Sequence, residues 1–251
     1  MRADQLLVAR GLMPSRTAAR RAIEAGRVSV ARAGAWLQVR APAQDLAENA
    51  ALALRPDAAD RYVSRGGLKL AGAIERAGIE VAGKTCLDIG QSTGGFSDCL
   101  LQAGAARVVG VDVGHGQLHA SLREDARLVG LEGLHARHLC PAALGGHWPA
   151  AGFELIVADL SFISLGLVMP VFPPLLAASG EVLALVKPQF EVGPRHLGKG
   201  GIVRDATLYP AVERRIRAAA EAAGLVVVDY FESPIPGGDG NREFFIRAVR
   251  A

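Results

Sequence analysis

The 251-residue chain has only three cysteines, and their placement excludes a small fold stapled by disulfides. Cys86 lies in an apolar strand-like run and Cys99 on an apolar helical one, so both read as small core residues. No apolar stretch reaches the roughly 20 residues that a membrane-crossing helix needs. The N-terminal residues carry arginines but no apolar block followed by a cleavage site. A cytoplasmic protein without stable membrane association is therefore expected, with a monomer as the default state. Half of the residues are apolar, enough for one large domain or a small one plus a medium one.

There is little net charge, +3, but it is unevenly placed. Residues 1–40 hold eight arginines against Asp4 and Glu24, a local excess of +6, which leaves −3 for the rest. Arginine rather than lysine is used throughout this segment, and its planar fork suits phosphate. Nucleic acid is the expected partner of the segment, against the plainer reading of a solvated arginine face.

The first 60 residues read as a small α+β module. A short helix from Asp4 stops at Gly11. Ser15 caps a second helix to about Ala25, with Gly26 as its stop, and short strands follow at Val28–Val30 and Trp36–Val39. Arg16, Arg20 and Arg27 are spaced to share one face. Residues 41–60 read as the end of the module and a connector, and 61–65 as a linker. From residue 66 onward strands and helices alternate. Strands are expected at 85–89, 107–112, near 134–138, and at 153–158, 181–186, 225–231 and 243–249. Helices are expected at 96–103, 166–178 and 207–223. This alternation predicts a mostly parallel sheet covered on both faces, with an antiparallel pair at one edge.

The dinucleotide fingerprint G-x-G-x-x-G is also missing. In its place Leu87-Asp88-Ile89-Gly90-Gln91-Ser92-Thr93-Gly94-Gly95-Phe96 runs an apolar strand into a glycine-rich turn and a helix. Asp88 would repel a pyrophosphate but attract a ligand bearing an ammonium and a sulfonium. S-adenosylmethionine is such a ligand. Gly90, Gly94 and Gly95 permit close backbone approach, and the helix from Phe96 offers free amides to a carboxylate. Asp112 ends the next strand 18 residues after Gly94, where a carboxylate grips ribose hydroxyls.

Two further absences narrow the acceptor. The strand ending in Asp159-Leu160-Ser161-Phe162 lacks the paired prolines common where an exocyclic amine is methylated, and no cysteine looks activated for carbon methylation. Both lean toward oxygen. Lys69, Asp159, Lys187 and Glu243 fall at element ends near the carboxyl rim of the expected sheet. Together they form a charge-balanced cluster able to release one lysine's proton. Phe162 and Phe190 flank these residues and read equally as base-stacking or core groups. His135, His138 and Cys140 lack a fourth ligand, so no metal site is expected.

Two family resemblances follow. Ser15 to Val30 resembles the RNA-binding module shared by a small-subunit ribosomal protein, tyrosyl-tRNA synthetases and pseudouridine synthases. Lys69, Asp159, Lys187 and Glu243 match the Lys-Asp-Lys-Glu tetrad of FtsJ/RrmJ-type ribose methyltransferases. The whole chain resembles the TlyA family. Its marks include Ser64-Arg65-Gly66-Gly67-Leu68-Lys69-Leu70, Lys187-Pro188-Gln189-Phe190-Glu191 and Gly198-Lys199-Gly200-Gly201-Ile202-Val203-Arg204-Asp205. The resemblance implies a Rossmann-like α/β methyltransferase with a seven-stranded sheet over residues 66–251, preceded by an RNA-binding module over 1–60. It implies S-adenosylmethionine held by Asp88, Gly90, Ser92, Thr93, Gly94, Gly95, Phe96 and Asp112. It implies RNA held by Arg2, Arg16, Arg20, Arg21, Arg27 and Arg65, and methylation of a ribose 2'-hydroxyl, a cytidine of ribosomal RNA or of a ribosomal subunit. Lys187 is the expected base, tuned by Lys69 and Asp159, with Glu243 orienting it. A membrane-active haemolysin and a non-catalytic ribosome assembly factor are the alternatives. Gln91 stands where the family has a small residue and is expected to crowd the methionine end of the site. The stretch Leu131–His135 and the tail 236–240 also depart from the family pattern.

Overall fold

A computed structural model describes residues 1–13, 15–57, 60–237 and 240–251. The chain divides into two compact units, Met1–Asp60 and Arg61–Ala251.

The first unit opens with helices α1 (Ala3–Ala9) and α2 (Arg16–Glu24). Ser15 caps α2 by accepting a hydrogen bond from the Ala18 amide, as its position before the apolar run requires. Gly11 and Gly26 follow the two helices with φ of +67° and +68°, a conformation that costs glycine little. Strands β1 (Val28–Arg32), β2 (Ala35–Gln38) and β3 (Leu52–Leu54) form an antiparallel sheet in the order β2-β1-β3. Strand β3 lies in the stretch expected to be a plain connector. Leu52 and Leu54 there pack against the core of Leu6, Leu7, Ile23, Val28 and Val30. In the first turn of α1 the fully buried Asp4 takes both arms of Arg2 at 3.0 Å and Arg16 at 3.3 Å, and the Arg2 hydrogen bonds hold its carboxyl at about 2.

The second unit is a seven-stranded sheet in the order β6-β5-β4-β7-β8-β10-β9. Its strands are β4 (Thr85–Ile89), β5 (Arg107–Asp112), β6 (Leu128–Glu132), β7 (Phe153–Ala158), β8 (Leu176–Val186), β9 (Leu225–Glu232) and β10 (Phe244–Arg250). β4 to β8 run parallel, and β10 runs antiparallel to both β8 and β9. One face is covered by α3 (Arg65–Ala77) and α4 (Gly95–Gln102), against Cys86, Leu155, Val157 and Phe245. The other face is covered by the helix Tyr209–Ala222, whose Val212 and Ile216 join a core with Ile156, Val182 and Ile246. Cys86 and Cys99 are buried on the α3–α4 face, and burial pushes both thiols up to about 12.

Two element assignments need correction. The strand expected near 134–138 lies earlier, at Leu128–Glu132, ended by Gly133 at φ +74°; residues 136–138 form a single helical turn. The helix expected over 166–178 is three short turns, the last being Phe172–Leu175, after which β8 begins at Leu176. Pro170, Pro173 and Pro174 are tolerated only in first turns, so a continuous helix cannot run through them. Residues 61–65 pack with the second unit: Tyr62 is buried in its core, the Val63 amide donates to Asp98 Oδ2 at 2.8 Å, and Ser64 caps α3. Among the described residues no helix is long and apolar enough to cross a membrane.

Candidate active site

The sheet reverses its winding at β4, which lies between β5 and β7. Ligands in such sheets bind outside the carboxyl ends of the strands at that point. The glycine-rich turn lies there. Gly90 has φ +87°, and a Cβ on it would come 2.5 Å from the Asp159 carbonyl. Only glycine lets these two strand ends come so close. Gly95 is similarly confined, because a Cβ would meet Ser64 Oγ at 2.1 Å.

Two cavities open on this rim. The first, about 520 Å³, runs along Gly90, Ser92, Asp112, Val113, His135, Asp159 and Leu160. The second, about 470 Å³, is walled by Lys69, Lys187, Gln189, Phe190, Asn241 and Glu243. Ser161 and Phe162 line both, and a small recess over Thr93, Gly95 and Phe96 reaches Asp159 and Lys187.

The four tetrad residues meet around the second cavity and its mouth, as two ion pairs. Lys69 Nζ lies 2.5 Å from Glu243 Oε2, with both side chains buried. Lys187 Nζ lies 2.6 Å from Asp159 Oδ1, a charge contact without hydrogen-bond alignment, and donates to Ser161 Oγ at 3.0 Å. Ser161 is a site residue that the sequence did not single out; its place two residues after Asp159, past a strand end, was the available signal.

The glycine-loop residues divide. Gly90, Ser92 and Asp112 line the first cavity, and Thr93, Gly95 and Phe96 line the recess. Asp112 is held in place by the Ser92 amide at 2.8 Å and the Gly114 amide at 2.7 Å. The Phe96 ring is core, stacked on Phe245, so only its backbone is on offer. Gly94 starts α4 at φ +92°, and a Cβ on it would strike Leu122 and Leu118 at 2.4 and 2.8 Å. Asp88 lines none of the cavities. It is fully buried, accepts a hydrogen bond from Ser97 Oγ at 2.7 Å, and leaves Oδ1 without a partner among the described residues. Burial, reinforced by the nearby Asp159 and Asp112 carboxylates, raises it to about 7.

Gln91 lines the recess with Thr93 and Gly95, and its side chain fills the space left by two glycines. A Cβ at Gly110 would sit 1.8 Å from its Nε2, and one at Gly130 would sit 3.0 Å from its Oε1. Its Nε2 donates to Ser97 Oγ at 2.8 Å, so Gln91, Ser97 and Asp88 form a buried chain.

Phe162 lies outside the core. It is 92% exposed at φ +64°, where bulky side chains are rare, and its ring lies 5.3 Å from that of Phe190. Glu191 pins this loop. It accepts from Ser164 Oγ and from the Leu165 amide, each at 2.8 Å, and pairs with Arg215 at 3.1 Å.

The arginines expected to bind RNA are not equivalent. Arg20 and Arg21 project outward from α2, with Glu24 3.9 Å from Arg20. Arg2 and Arg16 are shared with Asp4. Arg27 lies past the Gly26 turn rather than on the helix face. It is 11% exposed and engages Asp57, Asp60 and the Arg55 carbonyl. Arg65 donates to the Pro236 carbonyl at 2.7 Å. Gly238 and Asp239 of the divergent tail lie outside the described residues.

A family model for FtsJ-like methyltransferases matches residues 62–250, and an S4 domain model matches residues 1–31. Over 245 residues the chain is 44% identical to the 16S/23S rRNA (cytidine-2'-O)-methyltransferase TlyA of Mycobacterium tuberculosis, covering 98% of this chain and 88% of that one. The chain belongs to the TlyA family of FtsJ-like methyltransferases. A second TlyA relative, a 23S rRNA (cytidine-2'-O)-methyltransferase of Campylobacter jejuni, is 37% identical over 75% of this chain and 71% of its own. A solved structure from Streptococcus thermophilus that carries the name hemolysin superposes with a TM-score of 0.76 at 37% identity, covering 100% of this chain and 88% of that one.

Proposed function

We propose that this TlyA-family chain methylates a ribose 2'-hydroxyl, that of a cytidine in ribosomal RNA, with S-adenosylmethionine as donor. The observation that carries the reading is the gathering of Lys187, Asp159, Lys69 and Glu243 beside two cavities that share Ser161 and Phe162 in their walls. The first cavity fits the cofactor. Gly90 bares its backbone, Asp112 holds a fixed carboxylate that would take ribose hydroxyls, and Val113 and Leu160 supply apolar surface. Bound there, S-adenosylmethionine would supply an electrophilic methyl carbon.

The chain's own residues do the rest. A hydroxyl is a weak nucleophile until its proton is removed. Lys187 is the group placed to take that proton, once its ammonium has passed one of its own to solvent. Asp159 and Ser161 hold the Lys187 amine in one position, and the Lys69–Glu243 pair stiffens the facing wall. Holding acceptor and donor in line supplies much of the acceleration. The exposed, strained Phe162 and its neighbour Phe190 offer faces on which an unstacked base could rest. Residues 1–60, with the outward Arg20 and Arg21, would supply phosphate contacts that position RNA without reading its sequence.

The test is to incubate purified protein and S-adenosylmethionine with ribosomal subunits from a strain lacking the gene, then map 2'-O-methylation by mass spectrometry. One new methylated cytidine or more is expected. Methyl groups on bases alone, or none, would reject the reading.

A further inference from the structure

The stretch Gly198-Lys199-Gly200-Gly201-Ile202-Val203-Arg204 takes no part in the proposed transfer, yet it walls the second cavity. It forms a tight loop. Leu197 and Val203 bridge across its base, the Gly198 amide donates to the Ile202 carbonyl at 2.7 Å, and Leu197, Gly200 and Gly201 line the cavity. Asn241, 2% exposed, pins the loop with both ends of its amide. It accepts from the Val203 amide and donates to the Gly201 carbonyl, each at 3.0 Å. Gly200 and Gly201 have φ of +76° and +73°, and a Cβ on either would meet nothing within 4 Å, so the backbone there stands open.

The charge of this loop is unmatched. Lys199 and Arg204 are exposed, and neither side chain has a hydrogen bond or ion pair among the described residues. Arg204 lies along Gly198, where a Cβ would come within 3.2 Å of its Cγ and Nε, so both cations flank that glycine. The adjacent Asp205 pairs with neither. Its Oδ1 caps the following turn, accepting from the Thr207 amide at 2.9 Å and hydroxyl at 2.7 Å. Other cations of this rim are matched: Lys69 with Glu243, Lys187 with Asp159, and Arg242 with Glu232 at 2.6 Å. Two unmatched cations side by side repel, and an anion held by both turns that repulsion into attraction.

The substrate supplies the anion. A ribose 2'-hydroxyl and its 3'-phosphodiester stand on neighbouring carbons, so a site that takes in one takes in the other. Lys69 and Lys187, the cations in the lining of the cavity, are each held by a carboxylate and are not free to neutralise a phosphate. We infer that the loop Gly198–Arg204 clamps the phosphodiester 3' to the methylated ribose. Lys199 and Arg204 supply the charge, and Gly200 and Gly201 a backbone that the sugar-phosphate chain can approach closely. The inference rests on the methyltransferase reading above. Contacts of this kind fix register and orientation and carry no base information.

The test measures methyl transfer to ribosomal subunits across salt concentrations. It compares the full-length protein, a variant carrying Lys199→Ala and Arg204→Ala, and a charge-keeping control carrying Lys199→Arg and Arg204→Lys. In the alanine variant KM for subunits should rise about tenfold or more, the scale set by loss of a hydrogen bond to a charged group. The slope of log kcat/KM against log salt should flatten by about 0.7 per lost contact, the single-strand value. The control should keep the parent slope, and affinity for S-adenosylhomocysteine should stay within about twofold in both variants. A neutral methylphosphonate placed 3' to the mapped ribose in reconstituted subunits tests the position. It should cost the parent about what the alanine changes cost, and cost the alanine variant nothing further. An unchanged KM and slope, or losses from variant and linkage that simply multiply, would overturn the inference. So would a parent indifferent to the neutral linkage, whatever the fold of the variant. Failure of the methyltransferase reading itself is distinct: the unaltered protein would then methylate no ribose on natural subunits.

Discussion

Lys69 and Glu243, 174 residues apart in the chain, face each other at 2.5 Å in a wall where both are buried. Removing one partner of such a pair strands the other charge, at a cost of about 3–5 kcal/mol. Glu243→Ala is therefore expected to lose stability by about that amount together with activity. The double change Lys69→Met with Glu243→Leu should recover most of the stability in urea unfolding and none of the methyl transfer. Recovery of activity would show that the pair is only scaffolding.

Asp88 should make stability depend on pH. Its folded carboxyl is raised to about 7, chiefly by burial, from a usual value near 3.9. The fold thus binds this proton more tightly than the unfolded chain does. The contribution is complete below about pH 4 and is lost as pH rises through about 7. Asp88→Asn lacks this dependence. Its stability relative to the parent should rise by about 1.4 kcal/mol per pH unit from pH 5 to pH 7 and level off above that. A stability difference between variant and parent that is the same at pH 5 and pH 7 would contradict the assignment.

The arginines of the first unit should separate into two classes. Replacing Arg20 and Arg21 with alanine should weaken RNA binding and reduce the slope of log K against log salt by about one per arginine. Arg27→Ala should leave that slope unchanged and lower the melting temperature, because Arg27 serves Asp57, Asp60 and the Arg55 carbonyl. Filter binding across salt concentrations, with melting curves, distinguishes the classes.

The loop bearing Phe162 depends on Glu191. Glu191→Ala frees Ser164, the Leu165 amide and Arg215 at once. We expect KM for RNA to rise about tenfold, since the two hydrogen bonds from the loop to this charged group are each worth about 1.5–3 kcal/mol and only part of that loss reaches the acceptor. Cofactor affinity should change much less. An unchanged KM would remove Glu191 from the placement of the acceptor loop.

Much of this architecture was legible in the residues. Leu87–Ile89 and Val108–Asp112 are short apolar runs closed by glycine or aspartate, and the antiparallel edge formed by β9 and β10 followed from the loop between them. What was not legible depends on residues distant in sequence or on competition between local rules. Three prolines outweighed apolar spacing between 166 and 178. The direction of Gln91 is decided by Gly110 and Gly130, on the neighbouring strands, so no local pattern could show it. The tetrad was visible as four residues, but its division into two pairs, with Ser161 at Lys187, required the fold. Arg27 fitted helical spacing, yet Gly26 turns the chain before it and sends it inward.

The central claim is that Lys187 takes the proton of the attacking hydroxyl, and one paired measurement tests it most directly. Lys187→Ala should bind S-adenosylhomocysteine within about twofold of the parent by calorimetry, since Lys187 lies outside the lining of the first cavity. In single-turnover assays on ribosomal subunits it should transfer methyl groups at least about 100-fold more slowly, within the usual worth of a positioned proton acceptor. Transfer at the parent rate with cofactor binding intact would contradict the account.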